Sequence, residues 1–147
     1  MTEPPRPPGD GYPTSPGSPY TPPPGGYQPG YPALGSEDRA WILVAHLGGA
    51  AGAFVGGGCA GWVAPLISLL ARGDRSPAVR AESISALNFQ VLWSIIALIG
   101  YATICFGIGV AITVLAWLAG TIFGVIAGIK AANNEPYRYP MSGRFLR

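Results

Sequence analysis

The hydrophobic positions along the chain fall into four apolar segments, and two long stretches contain no charged residue. No Asp, Glu, Lys or Arg occurs at 40–71 or at 83–129. Uncharged apolar stretches longer than ~20 residues are typical of membrane-spanning helices. The pattern therefore predicts an all-α protein, a polytopic helical membrane bundle of four helices.

Glycine and proline positions divide the apolar region. The predicted segments, with approximate ends, are 38–56, 62–72, 77–106 and 110–132. Three consecutive glycines at 56–58 are poor helix formers and predict a turn, so that the first two segments form a hairpin. At ~1.5 Å per residue, the second segment is about half as long as the hydrocarbon core is thick. The alternative is one glycine-hinged span at 41–71, which gives three spans in all.

Two serines precede the predicted helices and fit the N-cap position. Ser36 stands before two acidic residues, and Ser76 stands before Pro77, which suits the first helical turn. We expect both serine hydroxyls to cap their helices.

Positive charge is concentrated on one predicted side of the membrane. Three arginines lie between the second and third segments, and four basic residues follow the fourth: Arg72, Arg75, Arg80, Lys130, Arg138, Arg144 and Arg147. Positively charged loops stay in the cytoplasm. The pattern predicts a multi-pass protein of the cell (plasma) membrane with a cytoplasmic tail and C-terminus. Lys130, Arg138, Arg144 and Arg147 are candidate contacts to lipid headgroups, so the bilayer is itself a predicted partner.

Residues 1–35 differ in composition from the rest, because they contain 12 of the 16 prolines and four of the seven tyrosines. Such a segment cannot bury a core and is predicted to be disordered. The domain organisation is then a tail at 1–35, a helical membrane domain at 36–134 and a basic aromatic juxtamembrane C-terminus at 135–147. The tail is either a flexible spacer or a docking segment for an unknown protein partner that reads proline or tyrosine.

Small residues recur every four positions in two segments. The first segment carries Gly48, Gly52 and Gly56, and the fourth carries Ala116, Gly120, Gly124 and Gly128. Small residues let helix backbones approach closely inside a membrane. The stripes predict either packing of segment one on segment four or a homo-oligomer formed through segment four.

A few polar residues interrupt the apolar segments. His46, Asn88 and Gln90 are intramembrane polar candidates. His46 is either a hydrogen-bonded neutral residue or has a proton- or substrate-related role. The two amides either bond between helices or line a polar path. The spacing of Cys59 and Cys105 is not that of metal ligands. The two cysteines are either small buried residues or form a disulfide.

Composition excludes two functional classes. Only 11% of the residues are charged and the formal net charge is +2, which argues against a soluble enzyme and against a nucleic-acid binder. The sequence has no acid pair, no Ser–His–Asp set and no phosphate-binding loop. We therefore expect no enzymatic activity, no cofactor and no metal.

Two short motifs carry a family resemblance. Ala-Leu-Asn-Phe-Gln at 86–90 and Tyr-Arg-Tyr-Pro at 137–140 resemble motifs of the Tic-twenty-like family of small bacterial membrane proteins. That family is named after a subunit of the chloroplast protein-import translocon. The resemblance implies a helical membrane bundle with both ends in the cytoplasm, and it supports the hairpin.

Two functions remain open. The first is a non-enzymatic scaffold or assembly factor whose Pro-rich tail recruits a partner. The second is a channel- or translocon-like component for passage of protein or solute. A conduit would expose Asn88 and Gln90 to water, whereas a scaffold would bury both between helices.

Overall fold

The computed structural model describes residues 34–142 and 145–146, and this part of the chain is helical, without a strand. The elements are α1 (Ser36–Leu43), a π-helical turn (Val44–Gly48), α2 (Gly49–Val55), α3 (Val63–Arg72), α4 (Pro77–Ala102), a 3₁₀ turn (Ile104–Phe106) and α5 (Ile108–Ala132). The predicted all-α class is confirmed for these residues. The predicted tail lies outside them, apart from Leu34 and Gly35.

The first three elements form one continuous helical rod, because the residues that join them keep right-handed helical dihedrals. Residues 36–55 are called the N-terminal rod here. With α3, α4 and α5, the rod makes four helical units, as the sequence predicts. The third unit ends earlier than predicted, at Ala102. The hydroxyl of Thr103 donates to the carbonyl oxygen of Ile99 at 2.8 Å and so competes with the helical backbone.

The N-terminal rod and α3 run antiparallel. The Ser68 hydroxyl donates to the Trp41 carbonyl oxygen at 2.8 Å, and Arg72 Nε donates to Asp38 Oδ1 at 3.1 Å. The start of the rod therefore lies beside the end of α3. This is the predicted hairpin, and a single hinged span at 41–71 does not occur.

The turn of the hairpin depends on two glycines in a left-handed conformation. Gly57 has φ 58° and Gly58 has φ 89°, values that glycine adopts without steric cost. The Ser94 hydroxyl donates to the Gly58 carbonyl oxygen at 3.1 Å, and the Tyr101 hydroxyl donates to that of Gly57 at 3.0 Å. Side chains of α4 thus satisfy the irregular backbone of the turn.

Of the two predicted N-caps, the structure has one. Ser76 Oγ accepts from the Val79 N–H at 3.3 Å, and Pro77 follows at the first helical position. Ser36 is the first helical residue and caps nothing, so that prediction is wrong. Gly35, with φ −58° and ψ 152°, already has the extended N-cap conformation, so the cap lies one residue earlier than predicted.

Replacing Ser76 by alanine is expected to lower the free energy of unfolding by about 1 kcal/mol, because one N–H at the start of α4 loses its acceptor. Detergent-induced unfolding followed by circular dichroism would measure the loss. Ser36→Ala is the matched control, with an expected change within about 0.5 kcal/mol. Equal losses in both variants would contradict the assignment of the cap.

Two helices, α4 and α5, are long and apolar enough to cross a membrane. The exposed face of α5 carries large apolar side chains, at Leu115, Leu118, Ile122, Val125 and Ile129. Its buried positions are small, at Gly109, Ala116, Gly120, Gly124, Ala127 and Gly128. In water the hydrophobic effect would bury the large side chains instead. Small residues inside and large ones outside are typical of helices packed in lipid.

Charged residues gather at one end of the bundle. The Arg39 guanidinium donates to the Ala132 carbonyl oxygen and so joins the start of the rod to the end of α5. Arg72 forms ion pairs with Glu37 at 2.9 Å and with Asp38 at 3.1 Å. We call this end, where the rod begins and α5 ends, the charged end. The opposite end, with Gly57 and Gly107, is the far end.

Candidate functional site

A buried cluster at the charged end is centred on His46. This residue lies in the π-helical turn of the rod and is 2% exposed. Its Nε2 lies 3.1 Å from Glu82 Oε2 of α4, and its Nδ1 lies 2.8 Å from the hydroxyl oxygen of Tyr139. Single π-helical turns are frequent at functional sites. The cluster thus joins the rod, α4 and the residues after α5.

The hydrogen-bond roles in the cluster follow from donor chemistry. An ionised Glu82 carboxylate only accepts, so Nε2–H of His46 donates to it. With a single proton on the ring, at Nε2, Nδ1 accepts from the Tyr139 hydroxyl. This assignment satisfies both ring nitrogens of a buried histidine. The intramembrane candidate predicted from sequence therefore has two partners, and neither was identified from the sequence.

Tyr139 belongs to the residues that follow α5, described at 133–142 and 145–146 and called the C-terminal strap here. Its ring stacks on Phe89 with centroids 4.2 Å apart and meets Tyr137 edge-on at 5.1 Å. Burial raises the pKa of the Tyr139 hydroxyl above its usual range, and the negative charge of Glu82 acts in the same direction. The hydroxyl is therefore held in its neutral, donating form.

This raised pKa predicts a loss of stability at alkaline pH. The stabilisation is complete below the unfolded tyrosine pKa of about 10, because Tyr139 is then neutral in both states. Above that value the unfolded chain releases a proton that the folded chain retains, so the free energy of unfolding falls. The tyrosinate absorbance and the unfolding free energy, measured at roughly pH 9 and roughly pH 11, would show it.

In the Tyr139→Phe variant the alkaline loss should shrink and one high-pKa tyrosine should vanish from the titration. Burial also raises the pKa of Tyr137, so a smaller loss should remain. An unchanged pH profile in Tyr139→Phe would contradict the assignment.

Asn88 attaches the strap at a second point. Its Nδ2 donates to the Leu146 carbonyl oxygen at 3.0 Å, and its Oδ1 accepts from the Leu146 N–H at 2.8 Å. Asn88 is 5% exposed. The amide therefore binds a backbone unit 58 residues later along the chain, with a donor and an acceptor on each side.

Gln90 acts deeper in the bundle. It is 1% exposed, and its Nε2 donates to the Gly120 carbonyl oxygen of α5 at 3.1 Å. Its Oε1 is buried without a hydrogen-bond partner among the described residues. Of the two predicted roles for the amides, hydrogen bonding between helices describes Gln90, whereas Asn88 bonds to the strap and lines the open cleft beside Arg138.

The small-residue stripes contact different neighbours. A Cβ on Gly124 would lie 2.9 Å from Ala50 Cβ, and one on Gly120 would lie 3.3 Å from Ala53 Cβ, so the α5 stripe packs on the rod. The stripe of the rod faces elsewhere: Gly48 faces Ala64, whereas Gly52 and Gly56 face Ala60. The two stripes do not meet. Ala116 and Gly128 are also buried, and Gly128 faces the Leu47 side chain.

The predicted headgroup cations have separate surroundings. Lys130 is paired with Glu135, whereas Arg138 is exposed beside an open cleft. Arg144 and Arg147 lie outside the described residues. Both cysteines are free thiols, with Cys59 half-buried and Cys105 exposed. Within the described residues, no group of three or more His, Cys, Asp or Glu could hold a metal ion.

Sequence reasoning missed Glu82 and Tyr139. Glu82 is the last charged residue before the uncharged stretch at 83–129, and a carboxylate at that border could have been matched to the single histidine. The sequence predicts that Tyr139 belongs to a basic aromatic juxtamembrane segment. It is instead 7% exposed, because the strap folds back and inserts it between α4 and the rod.

Comparison with known protein families identifies the family to which the chain belongs. Residues 37–146 match the model of the magnetosome magnetite crystal formation protein family, MamF/MmsF. No curated protein and no solved structure matches the chain. The resemblance to the Tic-twenty-like family is therefore wrong. Three residues of its two motifs, Asn88, Phe89 and Tyr139, make packing contacts within this bundle. Such contacts do not identify a translocon subunit. The chain belongs to the magnetosome magnetite crystal formation family, a family of small membrane proteins.

Proposed function

We propose that the protein is a non-enzymatic membrane scaffold whose helices form two hairpins across the cell membrane. The burial of Asn88 and Gln90 is the observation that carries the proposal. Both amides bond to the backbone of the same chain, at Leu146 and at Gly120. A conduit needs polar groups that face water and cargo, whereas these groups hold the protein together. The alternative, a channel- or translocon-like component, is supported less well.

The dimensions of the helices support a polytopic arrangement. At ~1.5 Å per residue, the N-terminal rod is about 30 Å long, close to the thickness of the hydrocarbon core. The helix α3 is about half that length, and the glycine-rich turn extends it. Irregular backbone at membrane depth is tolerated where protein covers it, and Ser94 and Tyr101 provide that cover.

The arginines favour a cytoplasmic charged end, because positive residues stay in the cytoplasm. Both the start of the rod and the end of α5 would then be cytoplasmic. The proline- and tyrosine-rich tail precedes the rod at this end, where it would recruit a protein partner. For a member of this family, the assembly would be the membrane machinery of magnetite crystal formation.

Thiol labelling tests the topology. Cys105 is exposed at the far end, and Arg75 lies in the loop at the charged end. With Cys59→Ser, a membrane-impermeant maleimide should label Cys105 in intact cells. In a Cys59→Ser/Cys105→Ser background, Arg75→Cys should react only after the membrane is opened. Labelling of both positions in intact cells would contradict two membrane-crossing hairpins.

Photo-crosslinking separates scaffold from conduit. A photoreactive residue at position 88 should crosslink within the chain to the strap near Leu146. A heterogeneous ladder of captured polypeptides would instead indicate a conduit. Deletion of residues 2–33 should leave this internal crosslink in place and abolish binding of the recruited partner. Intact partner binding after the deletion would contradict the role of the tail.

A further inference from the structure

The charged end contains a binding site shaped for a tyrosine side chain. We call it the tyrosine socket and define it by His46, Glu82 and Phe89. Phe89 offers a ring for stacking, and His46 Nδ1 offers an acceptor for a hydroxyl, held in orientation by Glu82. All three residues belong to the rod and α4, and none belongs to the strap. The socket therefore does not depend on which segment supplies the tyrosine.

The strap resembles a bound peptide in the way it is held. Its described anchors include the Tyr139 side chain in the socket, the packing of Tyr137 against the core and the two hydrogen bonds between Asn88 and Leu146. Asn134, with φ 57°, closes the C-terminus of α5, where the Glu135 N–H donates to the Lys130 carbonyl oxygen. Met141, with φ 53°, has a left-handed conformation that residues other than glycine rarely adopt. Release of the strap would relieve the strain at Met141.

The motif in the socket is repeated in the tail. Tyr139 is followed by Pro140, and the same Tyr-Pro dipeptide occurs as Tyr12-Pro13 and Tyr31-Pro32. Proline restricts the residue before it to extended conformations. The same sequence restriction applies to all three copies.

The tail leaves the bundle beside the socket. Leu34, the first described residue, lines a cleft together with His46, Glu82 and Tyr137. Tyr31 precedes Leu34 by three residues, which extend at most ~10 Å. Tyr31-Pro32 is therefore within reach of the cleft at His46 and Glu82, two of the three socket residues.

We propose that the socket is a Tyr-Pro binding site for which Tyr31-Pro32 of the tail competes with Tyr139-Pro140 of the strap. When the tail is docked, the strap is released from the bundle, and when the strap is docked, Tyr31 is free. The exchange is independent of the scaffold function and of membrane topology, since it involves only contacts within the chain.

Hydrogen exchange on the full-length protein in micelles tests the competition. The Leu146 amide is protected by Asn88 only while the strap is docked, so its exchange rate reports the released fraction. Tyr31→Ala, made in a Tyr12→Ala background so that no Tyr-Pro copy remains in the tail, removes the competitor and should slow this exchange several-fold. Tyr27→Ala is the matched control, because Tyr27 is followed by Gln28 rather than proline, and it should change nothing.

A peptide added in trans identifies the recognised group. A synthetic peptide of residues 26–35, added to the Tyr31→Ala protein, should restore fast exchange at Leu146. The same peptide carrying Tyr31→Phe should act more weakly, because it offers no hydroxyl to His46 Nδ1. Exchange that is unchanged or faster in Tyr31→Ala would overturn the proposal, and so would an equal slowing in Tyr27→Ala.

Discussion

Replacing Gly109 by alanine should lower the free energy of unfolding by about 3 kcal/mol, at the upper end of the usual cost of overpacking. A Cβ at this position would collide with three backbone atoms, the carbonyl oxygen of Gly100, the amide nitrogen of Ile104 and the carbonyl carbon of Thr103. Backbone atoms cannot rotate away as side-chain ends can. We therefore expect α4 and α5 to separate at the far end. Detergent-induced unfolding would measure the loss.

Gly128→Ala is the matched control in the same helix. Its new Cβ would meet only side-chain atoms of Leu47, Cδ2 and Cγ, and this exposed side chain can change rotamer. Alanine also favours a helix over glycine by ~1 kcal/mol. The expected net change lies within about 1 kcal/mol. If the two variants lost equal stability, close backbone approach between α4 and α5 would not be what requires Gly109.

Tyr139→Ala should detach the strap and lower the free energy of unfolding by about 3 kcal/mol. Truncation of a buried aromatic ring costs ~3–5 kcal/mol in protein cores, and this ring lies against Phe89 on one side and Tyr137 on another. Because the residues around Tyr139 in the strap are exposed, we expect a loss at the lower end of this range. The Leu146 amide should lose its protection from hydrogen exchange, because two hydrogen bonds to Asn88 cannot hold the segment alone.

Tyr139→Phe separates the hydroxyl from the ring. It retains the stacking but leaves His46 Nδ1 buried without a donor, which costs ~1–3 kcal/mol. Tyr101→Phe is the control, since the Tyr101 hydroxyl also donates one hydrogen bond but is exposed. We expect a smaller loss there. Equal losses of stability in Tyr139→Phe and Tyr101→Phe would show that burial of the cluster at His46 does not increase the contribution of its hydrogen bond.

The sequence was sufficient where structure depends on neighbouring residues. The four helical units, the hairpin turn at 56–62 and the cap at Ser76 follow from apolar runs, glycines and a Ser-Pro pair. The cap at Ser36 was predicted wrongly, because Gly35 supplies the same conformation one residue earlier. The candidate residues His46, Asn88 and Gln90 could be chosen as polar groups in apolar segments. Their hydrogen-bond partners could not be predicted from the sequence.

Family membership was beyond the reach of short motifs. Ala-Leu-Asn-Phe-Gln and Tyr-Arg-Tyr-Pro suggested a translocon relative, yet the family model assigns the chain to magnetosome magnetite crystal formation. Both motifs supply contacts of the bundle, where Phe89 stacks on Tyr139 and Asn88 binds Leu146. Motifs with such packing roles carry information about the fold rather than about the partner.

The sequence by itself determined which segments are helical, where they end to within a few residues and that their outer surface is apolar, because these properties depend on residues close in the chain. The tertiary structure alone decided which faces meet. The glycine stripes of the rod and of α5 look alike, yet they pack on different neighbours. Tyr139 reaches His46 from 93 residues away. Such pairings depend on how the helices pack in space, and this packing cannot be deduced from the residue spacing along one helix.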